Sequence, residues 1–176
     1  MLSIKHFSEL TSSEFYDIAQ VREKVFLLEQ HIVCQDFDGV DKRAVHITLR
    51  EDAGAGNAGA GNAGAGNEAG GGAVTGAGAV SGGAVSGGRI LAYLRMFEDG
   101  GRVIVGRVLT TERGKGYGMK VMAAAEEVAR ERFGTNSIML HSQTQAIPFY
   151  LKCGYAVTSE EFLEEGVPHR MMEKVF

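Results

Sequence analysis

Arg113-Gly114-Lys115-Gly116-Tyr117-Gly118 is the part of this 176-residue chain whose residue types and spacing point most directly at chemistry. Three glycines two apart let a backbone come close to a ligand and turn successive N–H groups into one space. A helical periodicity begins at Gly116, so the partial positive charge of a helix start adds to the charges of Arg113 and Lys115. Together these make a site for a diphosphate. The spacing excludes two common kinds of diphosphate site. The dinucleotide fingerprint Gly-x-Gly-x-x-Gly would need glycine at 119, where Met119 stands; the P-loop needs Ser or Thr after its lysine, where Gly116 stands.

Other reactive side chains are scattered. Cys34 and Cys153 lie far apart without metal-ligand spacing, and each reads as an inert thiol rather than a nucleophile. Asp36, Asp38 and Asp41 form an acidic stretch. It is not a calcium loop, since the fifth and twelfth positions are Val40 and Ile47. It reads as a solvated loop, or as acids that attract a cationic substrate. No metal site is expected.

These groups need a framework. Residues 2–7 suit an opening strand. Thr11 to Glu14 fits a capping box, and Phe15, Ile18, Ala19, Arg22, Val25, Phe26 and Glu29 then follow at helical spacing, which would put Arg22 and Glu29 on the same apolar face. Residues 44–50 alternate like a strand. Residues 89–97 and 102–110 read as two strands joined through Glu98-Asp99-Gly100-Gly101, a hairpin signal. A helix is predicted over 116–133 with Gly134 as its stop. A strand over 137–141, a short helix over 145–152 and closing strands over 155–158 and 171–175 complete a mixed α/β order. Between the strands, residues 53–88 are rich in Gly and Ala, with Ala-Gly-Ala-Gly-Asn three times in succession. Such a stretch has little to bury and much backbone entropy to lose, so it reads as a flexible insertion into one domain spanning 1–176. Silk-like stacking is the rival reading, and the asparagines oppose it.

The Arg-x-x-Gly-x-Gly pattern resembles the pyrophosphate loop of the GNAT N-acetyltransferase superfamily. Gln143, Ala146 and Tyr150 stand at the spacing of that family's Asn-x-x-Ala-x-x-x-Tyr helix, with Gln143 replacing the usual asparagine, and Gly154-Tyr155 follows where the family has Gly-Phe. Val25-Phe26-Leu27-Leu28-Glu29-Gln30, Asp38-Gly39 with Asp41, Gly106-Arg107-Val108 and Gly166-Val167-Pro168-His169 resemble the ElaA-like branch. The resemblance runs from about residue 21 to 172, without the insertion.

That resemblance implies a mostly antiparallel, twisted sheet flanked by helices, with strands splayed at an acyl-CoA site. It implies acetyl-CoA as co-substrate and direct attack by an amine on the thioester. Val108, Leu109 and Thr110 would bind the pantetheine arm through backbone groups freed by the splay. Residues Arg113, Gly114, Lys115, Gly116, Tyr117 and Gly118 would take the pyrophosphate, with Gln143 nearby. Gly106 would suit a bulge in the strand. Tyr150 would protonate the departing thiolate. The base is open: strand residues 103–110 lack the glutamate many relatives carry, which leaves Glu29, oriented by Arg22, then His46 and His169, or a water. A non-catalytic acyl-CoA-binding sensor of the same fold is the alternative.

The bulk numbers narrow the partners. Net charge is −4 and no basic block stands out, which argues against nucleic acid. No leader or membrane-spanning run is evident, and two cysteines fit a reducing, cytoplasmic location. The expected partner is a small-molecule or peptidyl amine; the sequence leaves a homodimer open.

Overall fold

The computed structural model describes residues 1–52 and 88–176, so the expected insertion lies outside the described residues apart from Gly88. Eight strands form one sheet, in the order β1 (Leu2–His6), β2 (Val45–Arg50), β3 (Ile90–Asp99), β4 (Arg102–Thr110), β5 (Ser137–Gln143), β8 (Val167–Val175) and β6 (Ala156–Val157), with β7 (Phe162–Glu164) also paired to β8. The described ladders are antiparallel except β4–β5, which is parallel. This is the mixed, mostly antiparallel α/β architecture expected from the sequence.

Helices cover both faces. α1 (Ser12–Arg22) starts at the expected capping box: the Glu14 N–H donates to Thr11 Oγ1 at 3.2 Å, and the Thr11 N–H to Glu14 Oε2 at 2.9 Å. Its Ile18 and Val21 pack with Val25, Tyr93 and Leu109 on one face of the sheet. α2 (Tyr117–Phe133) buries Val121, Met122, Ala125, Val128 and Ala129 against Ala92, Leu94, Met96 and Ile138 on the other. With both faces covered, Val45, His46, Ile47 and Thr48 of β2 are all buried. Gly134 ends α2 in the left-handed conformation, as its position suggested.

Two departures from the sequence reading matter for the site. After Arg22 the helix widens into π turns over Glu23–Glu29, seen in the Gln30 N–H to Val25 carbonyl bond. Seven residues of regular helix would have set Glu29 beside Arg22; the wider turn rotates it away, and Glu29 is exposed. The closing strand also begins earlier than expected. Glu165 and Gly166, both at positive φ, make a two-residue turn that folds β7 onto β8 from Val167.

Candidate active site

β4 and β5 share the register pair Ile104 with Met139 and then part. Beyond that pair β4 is also irregular on its other side. Tyr93 pairs with Leu109 and Arg95 with Gly106, so Arg107 and Val108 together oppose Leu94. This is the bulge expected near Gly106, but the left-handed residue is Arg107, at φ 54°. Its side chain explains why a non-glycine is held there: Nε donates to Asp36 Oδ1 at 2.8 Å, and Nη2 reaches Asp38 Oδ2 at 3.4 Å. A bulge on one side and a parting strand on the other leave β4 backbone groups free to meet a ligand.

From the end of β4 the chain enters the glycine turn. Gly114 and Gly116 both sit at φ 74° with open space where a Cβ would be, so backbone conformation alone demands glycine there. Gly118 is different. It is buried in the first turn of α2, and a Cβ would stand 3.0 Å from the Phe149 ring. It brings α2 close to α3 (Ile147–Lys152). Arg113 and Lys115 are exposed and form no ion pair among the described residues. Tyr117 packs at the edge of the core.

A cleft of about 410 Å³ opens at the splay. Ile104 to Val108 line one wall, the π turns and following loop another through Phe26, Gln30, Cys34, Asp36 and Asp38, and His141, Gln143, Tyr150, Glu164 and His169 the third. Of the predicted cofactor residues, Val108 and Gln143 line this cleft. Leu109 points into the core with Ile18, and Thr110 pairs with Ala92. Gln143 donates to Gln30 Oε1 at 3.2 Å and accepts from Gln145 at 2.9 Å, tying β5 to the π turns.

Of the four predicted proton-transfer residues, Tyr150 and His169 share the cleft, while Glu29 and His46 are not among its lining residues. Tyr150 lines the cleft, 8% exposed, against Phe149 and Tyr155 with ring centroids at 5.0 and 6.0 Å. Burial holds its phenol well above the ordinary value, so it keeps its proton. His169 also lines the cleft; its Nδ1–H donates to the Val167 carbonyl at 2.8 Å, which leaves the lone pair on Nε2. Glu29 is not among the lining residues. His46 is buried in the core. Its Nε2–H donates to the Asp41 carbonyl at 3.0 Å and its Nδ1 accepts from the Tyr93 hydroxyl at 2.9 Å, which leaves no lone pair for a substrate proton. Burial lowers its basicity further.

The acidic stretch corrects two expectations. Arg22, wholly buried, donates to Asp36 at 2.9 Å and to Asp41 at 2.7 Å, not to Glu29. Arg95, also buried, is held by Asp38 and by Asp41 at 2.9 Å. With Arg107 this makes three arginines against three aspartates, a lock pinning the 30–43 segment to the sheet rather than a solvated loop. The Arg95 and Arg107 guanidiniums and the Val40 N–H hold the Asp38 carboxyl at about 2, well below its ordinary range, despite partial burial.

Sequence reading missed one pair. His141 Nδ1 stands 2.8 Å from Glu164 Oε2, and both line the cleft. His141 alternates with Gln143 on the outward face of β5, a legible signal; Glu164 reaches it only because of the unread β7–β8 turn. Among the described residues no group of three or more His, Cys, Asp or Glu side chains could hold a metal ion.

A strand that parts from its neighbour beside a glycine turn at a helix start, over a cleft holding a buried tyrosine, is the arrangement that the resemblance to acetyltransferases implied. Comparison with known proteins makes the assignment specific. Residues 79–176 match the family described as "Acetyltransferase (GNAT) domain". The Bacillus subtilis N-acetyltransferase YjcF is 31% identical over 163 residues, covering 90% of each chain. Escherichia coli ElaA is 26% identical over 93% of this chain and 89% of its own, and its crystal structure superposes with a TM-score of 0.73 over 99% of both chains at 24% identity. An acyl-CoA N-acyltransferase from Pseudomonas aeruginosa shares the fold, with a TM-score of 0.74 at 24% identity over 99% of both chains. The chain belongs to the GNAT acetyltransferase family, and ElaA is among its relatives.

Proposed function

We propose that this protein moves an acetyl group from acetyl-CoA to an amine acceptor by direct attack on the thioester. The observation that carries the reading is the continuity of three features along one strand: the open glycine turn, the bulged and splayed end of β4, and the cleft beneath Tyr150. Arg113, Gly114, Lys115, Gly116, Tyr117 and Gly118 would hold the pyrophosphate, with α2 N–H groups and two cations that form no ion pair among the described residues supplying the attraction. Val108, Leu109 and Thr110 would hold the pantetheine amides by backbone groups, and Gln143 the neighbouring wall. The oxyanion formed by attack would be met by a freed N–H at the bulge, that of Val108 being best placed in sequence.

The acceptor is a small-molecule or peptidyl amine that is cationic before it reacts. Asp36 and Asp38 are neutralised within the arginine lock and Asp99 by Arg43, but Glu164 and Glu165 also line the cleft outside that lock and favour a positive guest. Tyr150 is the general acid. Its burial, the absence of a described hydrogen-bond partner for its hydroxyl, and its raised pKa all leave a proton available to a departing thiolate.

Thiol release from acetyl-CoA across a panel of primary amines tests this reading. Turnover is expected with at least one acceptor. Tyr150→Phe, which keeps the ring, should lower turnover by about 100-fold while acetyl-CoA affinity in calorimetry stays within a few-fold. Near-normal turnover in that variant, with a lowered melting temperature, would make Tyr150 a packing residue.

A further inference from the structure

We propose that His141, oriented by Glu164, is the general base that takes a proton from the acceptor's ammonium group. The proposal rests on the amine-acetylation reading above and supplies the component that reading lacks.

The cleft contains several groups that could in principle accept a proton, and the structure commits most of them elsewhere. Asp36 and Asp38 are bound to Arg22, Arg95 and Arg107, and Asp99 to Arg43 at 3.3 Å. Asp38 is held at about 2, too weak a base for an ammonium. Burial pushes the Cys34 thiol up, so it remains protonated. His169 has a free Nε2, but its Nδ1–H rests on a neutral carbonyl, which cannot neutralise an imidazolium.

His141 differs because its partner is a carboxylate. An ionised carboxylate only accepts, so the 2.8 Å contact fixes the Nδ1–H tautomer and leaves the Nε2 lone pair free. When Nε2 takes a proton, the charge develops against Glu164. Neighbouring elements position the pair. His141 stands on the outward face of β5 while Leu140 and Ser142 on either side are buried. The Phe162 ring packs edge-on at 5.1 Å. Glu164 is the last residue of β7, anchored by the turn at Glu165 and Gly166. The hydrogen bond that His141 donates to the Glu164 carboxylate raises the His141 pKa against the lowering effect of partial burial. Tyr150, His169 and Glu165 also line the cleft, with Arg107, Arg95, Cys34, Asp36, Asp38 and Asp99 on its other walls.

The step balances. The ammonium gives one proton to His141 Nε2, and the freed amine lone pair attacks the thioester carbonyl carbon. The C–N bond forms and the C–S bond breaks. Tyr150 gives its proton to the departing thiolate, the second proton lost by nitrogen after attack restores the Tyr150 phenol by way of solvent, and His141 returns its proton to solvent. No redox partner is needed. Because the base must be unprotonated, turnover should rise with pH through the His141 pKa, which lies above the ordinary histidine value. Removing the Glu164 charge should move that rise to lower pH and slow the plateau.

The test uses the full chain, acetyl-CoA and an amine the wild type acetylates, with pH–rate profiles for His141→Ala, His141→Gln and Glu164→Gln. Expected results are a roughly 100-fold loss of kcat in both His141 variants, acetyl-CoA affinity within a few-fold, and recovery of His141→Ala by added imidazole. Glu164→Gln should shift the acid-side rise downward in pH. Imidazole rescue and a moved profile are effects that a merely structural histidine would not give. Wild-type turnover with unimpaired His141 variants, or a profile unmoved by Glu164→Gln, overturns the base assignment alone. A wild type that binds acetyl-CoA but acetylates no amine overturns the reading beneath it as well.

Discussion

At Arg22, Arg95 and Arg107, three guanidiniums are packed against Asp36, Asp38 and Asp41, two of them almost wholly buried. At Arg113 and Lys115, two cations stand exposed beside a helix start with no partner among the described residues. The first region has satisfied its charges internally and therefore holds structure. The second has left them open beside free N–H groups and can hold an anion. Arginine and lysine counts alone would not separate the two; the partners do. Asp41 Oδ2 and Arg95 Nε, both buried without a hydrogen-bond partner among the described residues, leave the geometry of the lock to its remaining bonds.

The sharpest way to break the comparison is to remove the shared anion of the lock. Asp41 accepts from both Arg22 and Arg95, so Asp41→Ala strands buried positive charge and should cost about 3–5 kcal/mol of stability. Urea unfolding would read that loss, and a change under about 1 kcal/mol would show the network to be ornamental. The complementary change at the open region should spare stability and remove binding. Gly116→Asp puts a side chain and a negative charge where phosphates are expected, at a φ that disfavours one. Acetyl-CoA affinity should fall by at least about 100-fold, near 2.7 kcal/mol, with a small change in melting temperature. Undiminished affinity in calorimetry would move the pyrophosphate elsewhere.

The smallest effect belongs to the Gly/Ala-rich residues 53–87. The chain leaves β2 and re-enters β3 at adjacent backbones, with the Glu51 N–H donating to the Arg89 carbonyl at 2.9 Å. A short Gly/Ser turn can close that gap, and loop length changes stability only slowly, by about 0.6 kcal/mol per doubling. Replacement should leave the melting temperature unchanged or slightly raised and acetyl-CoA affinity intact. A large fall would mean that the stretch packs against one of these two regions.

What the sequence determined by itself was local. The capping box before α1, the β3–β4 hairpin, the glycine turn, the length of α2 and its stop at Gly134 each depend on a few neighbouring residues whose backbone preferences agree. The conformation of the glycine turn was legible for the same reason, since Gly114 and Gly116 take positive φ whatever lies beside them. Tertiary structure decided what depends on partners far along the chain. Arg107 meets Asp36 across 71 residues, Arg95 meets Asp38 across 57, and His141 meets Glu164 across 23. The π turns that rotate Glu29 away from Arg22 are a local deviation that periodicity cannot foresee, because an extra residue per turn leaves the apolar pattern up to Val25 unchanged. His46 shows the same division from the other side: its residue type suggested a base, and only the packing of Tyr93 and the Asp41 carbonyl against its two nitrogens gave it a structural place. A side chain's chemistry is written in its type, but whether its lone pairs and charges are free is settled by which distant groups the fold sets against them.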